Sequence, residues 1–280
     1  MKITNAKYTG ANDRQSLIDL EIPEDRKVKD LVLFVHGYKG YKDWGCWNMV
    51  QDYFVSKGIG FSKLNLSHNG GTVDDPIDFP DLEAFGQNRY TYEITDIKNA
   101  IDWLGQKVDL NTVRLHLLGH SRGGADVILS GMDPRVTAVL TWASIADIPS
   151  RFPKDRELDL WYELGVRYVK NGRTKQEMPH YISFYEDWKN NQERLSIEKN
   201  AKALKEAYKP CLHIHGSEDD AVSSKHSDQL SSWTHGELIL INNTGHTFGA
   251  KHPWDEIPLP SKLKEACLLT IQFLRELDQP

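Results

Sequence analysis

The stretch Gly119-His120-Ser121-Arg122-Gly123-Gly124 decides the fold of this 280-residue chain. A serine between close glycines, directly after an apolar run, is typical of a sharp turn that leads from a strand into a helix. Residues 113–118 (Val-Arg-Leu-His-Leu-Leu) predict the strand, and residues 123–129 (Gly-Gly-Ala-Asp-Val-Ile-Leu) predict the helix. Because the chain passes itself closely at such a turn, a side chain at position 119 or 123 would obstruct it. Ser121 is therefore the candidate nucleophile.

A second apolar segment supplies context for this serine. The glycine-serine pattern also occurs in turns that have no chemical role, so the rest of the chain must support the interpretation. Residues 31–38 (Leu-Val-Leu-Phe-Val-His-Gly-Tyr) predict a strand that ends in His-Gly. The backbone amides of Tyr38 and Arg122 are then the expected oxyanion hole, which stabilises the charge that develops on a tetrahedral intermediate.

Two later strands deliver a candidate acid and a candidate base. In residues 210–222 a short strand ends in His-Gly, and Asp219 follows three residues beyond the glycine. In residues 237–248 the last predicted strand leads to a loop that carries His246 after a glycine. The order Ser121, Asp219, His246 is the one expected for an α/β-hydrolase and differs from that of the two common serine protease folds.

These four segments together resemble the α/β-hydrolase superfamily. Residues 36–44 and 119–124 are similar to bacterial dienelactone-hydrolase-like and acyl-esterase-like members, and the resemblance covers nearly the whole chain except Ile145 to Lys209. Dienelactone hydrolases proper have a cysteine nucleophile where this chain has Ser121, so their substrate is not implied.

The alternation of strands and helices predicts an α/β fold with a mostly parallel central sheet that is covered by helices on both faces. Apolar residues at three- and four-residue spacing predict a helix that begins near Glu93 and a closing helix for which Ser261 is the expected cap. The α/β-hydrolase core is predicted to comprise residues 1–144 and 210–280. Further predicted strands cover residues 3–8, 17–22, 61–66 and 136–142.

Residues 145–209 break this alternation and are rich in charged and aromatic side chains. Asn171-Gly172 indicates a hairpin turn, and residues 181–199 predict a helix. Because the segment is inserted between two central strands, we expect a lid (cap) over Ser121. Trp161 and Trp188 are expected to bind substrate in this lid, and packing within the lid is the alternative role for either ring.

Several other residues admit a second interpretation. Asp147 follows a predicted strand and is an alternative acid, and His252 is an alternative base. His213 and His215 alternate on one strand but have no third ligand nearby in the sequence, so no metal site is expected. The acidic residues 74–81 are interrupted by prolines and lack calcium-loop spacing, which indicates a solvated loop.

Composition narrows the class of partner. The formal net charge is −6, with lysines and arginines interspersed among acids, so neither nucleic acid nor an anionic membrane is an expected partner. The three cysteines are far apart and odd in number, which disfavours a disulfide framework. The amino terminus lacks a signal-peptide pattern, and a cytoplasmic location is expected.

The predicted function is hydrolysis of a small-molecule carboxylic ester through an acyl-enzyme intermediate, without a cofactor. Peptidase or acyltransferase action on the same triad is the alternative, because all three reactions pass through related tetrahedral intermediates. A binding protein built on a non-catalytic hydrolase scaffold is the alternative from another class. The sequence leaves the acyl group, the alcohol group and the oligomeric state open.

Overall fold

Eight strands in the described part of the chain form one sheet, and two more form a separate hairpin. The computed structural model describes residues 1–24 and 28–277, so residues 25–27 and 278–280 of the predicted core lie outside the described residues. The strands are β1 (Lys2–Thr9), β2 (Gln15–Glu21), β3 (Asp30–Val35), β4 (Gly60–Leu64), β5 (Arg114–His120), β6 (Val136–Trp142), β7 (Val166–Lys170), β8 (Glu177–Tyr181), β9 (Cys211–Gly216) and β10 (Glu237–Ile241).

Helices connect most of these strands. They are α1 (Trp47–Ser56), α2 (Leu82–Gln87), α3 (Tyr90–Gly105), α4 (Arg122–Ser130), α5 (Asp155–Leu164), α6 (Ser183–Asn190), α7 (Ile197–Glu206), α8 (Lys225–Thr234) and α9 (Ser261–Glu276). The predicted closing helix is α9, but its N-cap is Pro260. Ser261 is the first helical residue and not the cap, and the cap position makes no side-chain hydrogen bond.

The sheet has the strand order β1-β2-β4-β3-β5-β6-β9-β10. From β4 to β10 all neighbours are parallel, whereas β2 is antiparallel to both β1 and β4. The central strands are buried along nearly their whole length because helices cover both faces. On β3, Leu31 and Leu33 face one core cluster, whereas Val32 and Phe34 face the other. The predicted mostly parallel sheet is confirmed.

The two helical layers follow from these two clusters. Buried residues of α3, α4, α7 and α8 pack on one face of the sheet. Those of α1 and α9 pack on the opposite face, where Leu263, Cys267, Ile271 and Leu274 form the predicted apolar stripe of α9. The helices hold the sheet rigid, so the loops at its carboxyl edge have fixed anchors.

A crevice at the carboxyl edge results from the strand order. Strand β3 lies between β4 and β5, so the connections that leave β3 and β5 diverge to opposite sides. Ligands of open α/β sheets bind at such a point. The loop after β3 and the turn after β5 both lie here.

The insertion between β6 and β9 differs in part from its prediction. The predicted hairpin is present as β7 and β8, but residues 171–176 connect it and not a two-residue Asn-Gly turn. Asn171 Oδ1 accepts hydrogen bonds from the backbone amides of Arg173 and Thr174, which stabilises this wider loop. The single predicted helix is two helices, α6 and α7. Helix α7 contacts α4 and α8, so it belongs to the layer on the sheet.

Candidate active site

The turn after β5 holds Ser121 in a strained backbone conformation, with φ of 59° and ψ of −119°. A Cβ atom on Gly119 would lie 2.0 Å from the carbonyl oxygen of Gly123. A Cβ atom on Gly123 would lie 2.4 Å from the carbonyl oxygen of Val35. Both glycines are therefore required by close backbone contacts, and the turn presents the serine above the sheet at the start of α4.

Three side chains from separate loops meet at this turn. Ser121 Oγ donates to His246 Nε2 across 2.9 Å, and His246 Nδ1 donates to Asp219 Oδ2 across 2.8 Å. The three residues follow β5, β10 and β9, respectively. In this arrangement Nε2 is the free acceptor of the imidazole, which is the tautomer that can remove a proton from the serine hydroxyl.

Asp219 is fully buried and has a complete set of hydrogen-bond donors. Its Oδ1 accepts from the backbone amides of Ala221 and Val222, each across 2.9 Å. Its Oδ2 also lies 3.0 Å from His215 Nε2. Burial alone would raise the pKa of Asp219, but the hydrogen bonds from His215 and His246 outweigh it and hold the pKa well below its usual range. The carboxylate therefore stays charged at neutral pH.

Two histidines that the sequence analysis did not assign to the site support it. His215, interpreted from the sequence only as one of two alternating strand histidines, contacts Asp219, and its Nδ1 lies 2.6 Å from Ser227 Oγ. His120 Nε2 donates to the carbonyl oxygen of His246 across 2.9 Å and so fixes the loop that carries that residue. Burial lowers the pKa of His120 to about 3, so it is neutral at physiological pH. The sequence offered one indication that His120 belongs to the site, namely that it directly precedes Ser121.

The loop after β3 passes directly beside Ser121. A Cβ atom on Gly37 would lie 2.9 Å from Ser121 Cβ, so only glycine permits this approach. His36 Nδ1 donates to the carbonyl oxygen of Gly37 across 2.9 Å, and His36 Nε2 accepts from the amide of Leu66 across 3.1 Å. Burial lowers the pKa of His36 to about 4 and keeps it neutral. These bonds fix the loop against the nucleophile.

The backbone amides of Tyr38 and Arg122 are available to a ligand. Arg122 is the first residue of α4, where an amide has no partner within the helix. In residues 1–24 and 28–277, neither amide donates to a protein acceptor. Two free amides that flank a serine are what an oxyanion hole requires.

The alternative candidates do not join the hydrogen-bonded series of Ser121, His246 and Asp219. Asp147 accepts a hydrogen bond from the amide of Ser150 and makes none with His246. His252 Nε2 lies 2.7 Å from the Tyr41 hydroxyl, and His252 Nδ1 accepts from the amide of Gly45.

His213 and an aspartate of the acidic loop (residues 74–81) form hydrogen bonds or ion pairs within the fold. His213 contacts the hydroxyls of Thr141 and Thr234. In the acidic loop, Asp81 caps α2 and pairs with Arg14 across 2.7 Å. Among the residues that the structure describes, no group of three or more His, Cys, Asp or Glu side chains is arranged to hold a metal ion.

Two cavities meet at the serine, of about 400 and 500 Å³. Ser121, Tyr38 and His246 border both of them. The first cavity is lined further by residues of α3 and of the insertion, including Tyr90, Phe152, Trp161, His180 and Phe184. The second is lined by Trp44, Trp47, Ala250 and His252, among others. A ligand at Ser121 therefore has separate space available on two sides of the serine.

The two predicted substrate-binding tryptophans differ in position. Trp161 lies in the wall of the first cavity, and its Nε1 donates to the carbonyl oxygen of His180 across 2.7 Å. Trp188 lines neither cavity at Ser121. Its ring packs 5.3 Å from that of Phe152 and 5.5 Å from that of Tyr185. Trp188 is thus a packing residue behind the wall, and its expected contact with substrate is corrected.

The structural neighbours share the fold at low sequence identity. Est1E from Butyrivibrio proteoclasticus is 15% identical with a TM-score of 0.68, and 98% of each chain is covered. A putative hydrolase from Agrobacterium vitis S4 is 16% identical with a TM-score of 0.69, covering 98% of this chain and 97% of its own. A monoacylglycerol lipase from Paleococcus ferrophilus is 16% identical with a TM-score of 0.65, covering 92% and 98%.

Sequence comparison identifies the family. No curated protein sequence matches this chain. Within residues 1–24 and 28–277, no helix has the length and apolar character needed to cross a bilayer. The profile of the Alpha/beta hydrolase family matches residues 32–257, which include the loop after β3, the Ser121 turn, Asp219 and His246. Together with the sheet order and the serine turn, this match shows that the chain belongs to the alpha/beta hydrolase family.

Proposed function

We propose that this chain is a serine hydrolase that cleaves a carboxylic ester of a small molecule through an acyl-enzyme intermediate. The observation that carries the proposal is the hydrogen-bonded series from Ser121 Oγ through His246 to Asp219, with distances of 2.9 and 2.8 Å. Three residues so distant in sequence form this series only if the fold brings their loops together, and its geometry fits proton transfer.

The first half of the reaction forms the acyl-enzyme. His246 Nε2 takes the proton of Ser121 as Oγ attacks the ester carbonyl, and the carbonyl oxygen becomes an oxyanion. The amides of Tyr38 and Arg122 donate to that oxyanion. His246 then returns the proton to the alcohol oxygen as the bond between carbonyl carbon and alcohol breaks. Asp219 holds the imidazole in its working tautomer and stabilises its charged form.

The second half releases the acid. Water attacks the acyl carbonyl while His246 takes its proton, and collapse of the new oxyanion returns Ser121 with its proton restored. The released alcohol and the remaining acyl group have the two cavities at Ser121 available to them. This arrangement supports a reaction with two product halves.

Two structural neighbours support a carboxylic ester as the substrate, one through a bound carboxylic acid, the kind of product that ester hydrolysis releases, and one through its name. One structure is described as ferulic acid bound to Est1E from Butyrivibrio proteoclasticus, at 18% identity and a TM-score of 0.68, with 97% of this chain and 98% of that chain covered. The Paleococcus protein is described as a monoacylglycerol lipase. Carboxylic esters are therefore the first class to test.

We further propose that the first part of the predicted insertion acts as the lid. Phe152, Trp161, His180 and Phe184 from this part line the first cavity together with Ser121. Tyr38 on the oxyanion loop also contacts it, because the Tyr38 hydroxyl lies 2.7 Å from His180 Nε2. The predicted boundary at residue 209 lies too late for this role, since α7 packs on core helices.

A fluorophosphonate probe tests the proposal, because it labels a serine only where the base and the oxyanion hole are assembled. We expect labelling of the wild-type protein and none of Ser121→Ala. Replacing either Ser121 or His246 by alanine is expected to lower kcat on 4-nitrophenyl acetate by about 10⁵- to 10⁶-fold, and replacing both to cost little more.

His235→Ala is the matched control, because His235 is exposed and lines neither cavity at Ser121. Additive losses in the double variant would contradict a shared role for Ser121 and His246. Absence of labelling and of hydrolysis across ester, thioester and amide substrates would favour a non-catalytic binding protein. Turnover of amides alone would favour a peptidase.

A further inference from the structure

The first cavity at Ser121 has a strongly cationic wall. Arg122, Arg151 and Arg167 line it, and within the described residues no aspartate or glutamate does so. The chain as a whole has a formal net charge of −6, so this wall opposes the overall charge. We propose that the first cavity binds a carboxylate of the substrate, which makes an anionic ester the substrate class. This inference rests on the proposed function, because it concerns the same site.

Arg122 is held by aromatic rings and not by hydrogen bonds. Its guanidinium carbon lies 4.5 Å from the ring centroid of Tyr38, 5.1 Å from that of Phe184 and 5.4 Å from that of Tyr90. The nearest acid is Glu93, 3.6 Å from Nη1. In the part of the chain that the structure describes, the guanidinium donates no hydrogen bond. Stacking on aromatic faces leaves the N–H fork available to a planar anion.

The other two arginines come from the insertion and have no acidic partner. The half-buried Arg167 lies on β7, with its guanidinium carbon 5.3 Å from the Trp161 ring centroid. Arg151 approaches only the ring of His226, at 3.5 Å. Over residues 1–24 and 28–277, no carboxylate lies within ion-pair distance of either guanidinium. Cations gathered beside an apolar wall repel one another unless an anion joins them.

The second cavity provides a contrast, because two of its three cations have a carboxylate partner. Arg173 forms an ion pair with Asp78, and Lys251 lies 4.0 Å from Glu256. Lys39 donates to the carbonyl oxygen of Lys170 across 3.1 Å. Among the described residues, Arg151 and Arg167 of the first cavity thus have no carboxylate partner, whereas the guanidinium of the second cavity has one.

The same cations act on His180. Burial and, after it, the charges of Arg122, Arg167 and Lys39 lower the pKa of His180 to about 3. The Tyr38 hydroxyl lies 2.7 Å from this neutral ring. The wall is therefore positive at several points around the space in front of Ser121, which is the field that a carboxylate needs.

Two matched ester pairs test the proposal and locate the carboxylate. The acyl pair is mono-4-nitrophenyl glutarate and 4-nitrophenyl 5-methylhexanoate, in which a carboxylate is replaced by an isopropyl group of similar shape. The alcohol pair is 3-carboxyphenyl acetate and 3-isopropylphenyl acetate. Each kcat/KM is divided by the rate of spontaneous hydrolysis. We expect the anionic member of one pair to be preferred by about tenfold or more, and less so as ionic strength rises.

Variants of Arg167 test whether the preference for the anionic ester comes from the arginines of the first cavity. Arg167→Gln is expected to lower the ratio of anionic to neutral kcat/KM by about tenfold, and Arg167→Glu to lower it further. The control is Arg156→Gln, since Arg156 is an exposed arginine on α5 outside the cavity. Calorimetric binding of a non-hydrolysed anionic ester to Ser121→Ala, with and without Arg167→Gln, gives a readout that needs no turnover.

The outcomes separate the two proposals. Equal rates within both pairs, or a ratio that survives Arg167→Gln and Arg151→Gln, would overturn the anionic subsite while ester hydrolysis stands. Hydrolysis and labelling that fail for every ester would overturn the proposed function. In that case calorimetric binding to Ser121→Ala still decides whether the wall takes a carboxylate, and no binding there would refute it.

Discussion

At the scale of single residues, Asp219 has more partners than an orienting acid needs. Besides His246, it is contacted by His215 and by two backbone amides. These donors keep the carboxylate ionised although it is buried. They also fix its position, so the imidazole is aimed at Ser121 by a rigid group. The alternative acid Asp147 lacks this surrounding and lies in a different cleft.

Asp219→Asn is expected to lower kcat by about 10⁴-fold, because an amide at this position favours the wrong imidazole tautomer. Asp147→Asn is the matched control and should retain nearly the wild-type kcat. The measurement is steady-state hydrolysis of 4-nitrophenyl acetate, with thermal melting to verify folding. Equal losses in the two variants, or a larger loss in Asp147→Asn, would remove Asp219 from the role.

At the scale of elements, the insertion supplies walls, and its two tryptophans occupy different depths. Trp161 on α5 lines the first cavity, whereas Trp188 on α6 packs against Phe152 behind it. Truncation of the first therefore changes the space available to substrate. Truncation of the second removes packing and leaves the wall itself in place.

Trp161→Ala is expected to change the ratio of kcat/KM for octanoate and acetate 4-nitrophenyl esters severalfold, because each methylene in an apolar pocket contributes about 1 kcal/mol or more. Trp188→Ala should lower the melting temperature and change this ratio little. Parallel losses on both esters in Trp161→Ala, or a larger selectivity change in Trp188→Ala, would contradict the assigned wall.

A largely buried group of four charges joins the loop after β3 to the sheet. Lys42 Nζ lies 2.9 Å from Asp19 Oδ2 and 2.6 Å from Asp43 Oδ2, and Lys63 Nζ lies 2.5 Å from a carboxylate oxygen of each acid. Asp19 is on β2 and Lys63 is on β4, whereas Lys42 and Asp43 follow β3. The group is electrically neutral, so each member is satisfied only while the others remain.

Lys63→Met is expected to lower the free energy of unfolding by about 3–5 kcal/mol, because it leaves a net negative charge buried. Adding Asp43→Asn to this variant restores neutrality and should recover part of the loss. Urea unfolding of the single and double variants measures both effects. A Lys63→Met protein as stable as the wild type would show that water, and not the lysine, compensates the acids.

At the scale of the whole molecule, the sequence predicted the sheet well because strands such as β3 and β6 are mostly apolar runs. Strand β6 has the predicted bounds. Helix α1 was not predicted, because Cys46 supplies no capping side chain to mark its start. Helix α8 has little apolar character, with Leu230 as its one large buried hydrophobic residue among the described positions, so it shows no clear stripe.

The site divides in a similar way. Ser121, Asp219 and His246 could be proposed from the sequence because each follows a recognisable strand in a fixed order, and the structure brings their side chains together. The sequence could not show that Trp188 packs behind the cavity wall, because its position depends on how α6 packs on its neighbours. The convergence of Arg151 and Arg167 on Arg122 was equally invisible, because it exists only after the insertion has folded over the sheet.

The distance along the chain between Ser121 and His246 also matters while the protein is being synthesised. The proposed base lies 125 residues after the nucleophile, and its loop follows β10, the edge strand that pairs only with β9. Since chains emerge from the ribosome amino terminus first, the serine turn is complete long before its base has been translated. If His246 is the base, the serine of a nascent chain is inert, and the proposed hydrolysis begins only after β10 has joined the sheet.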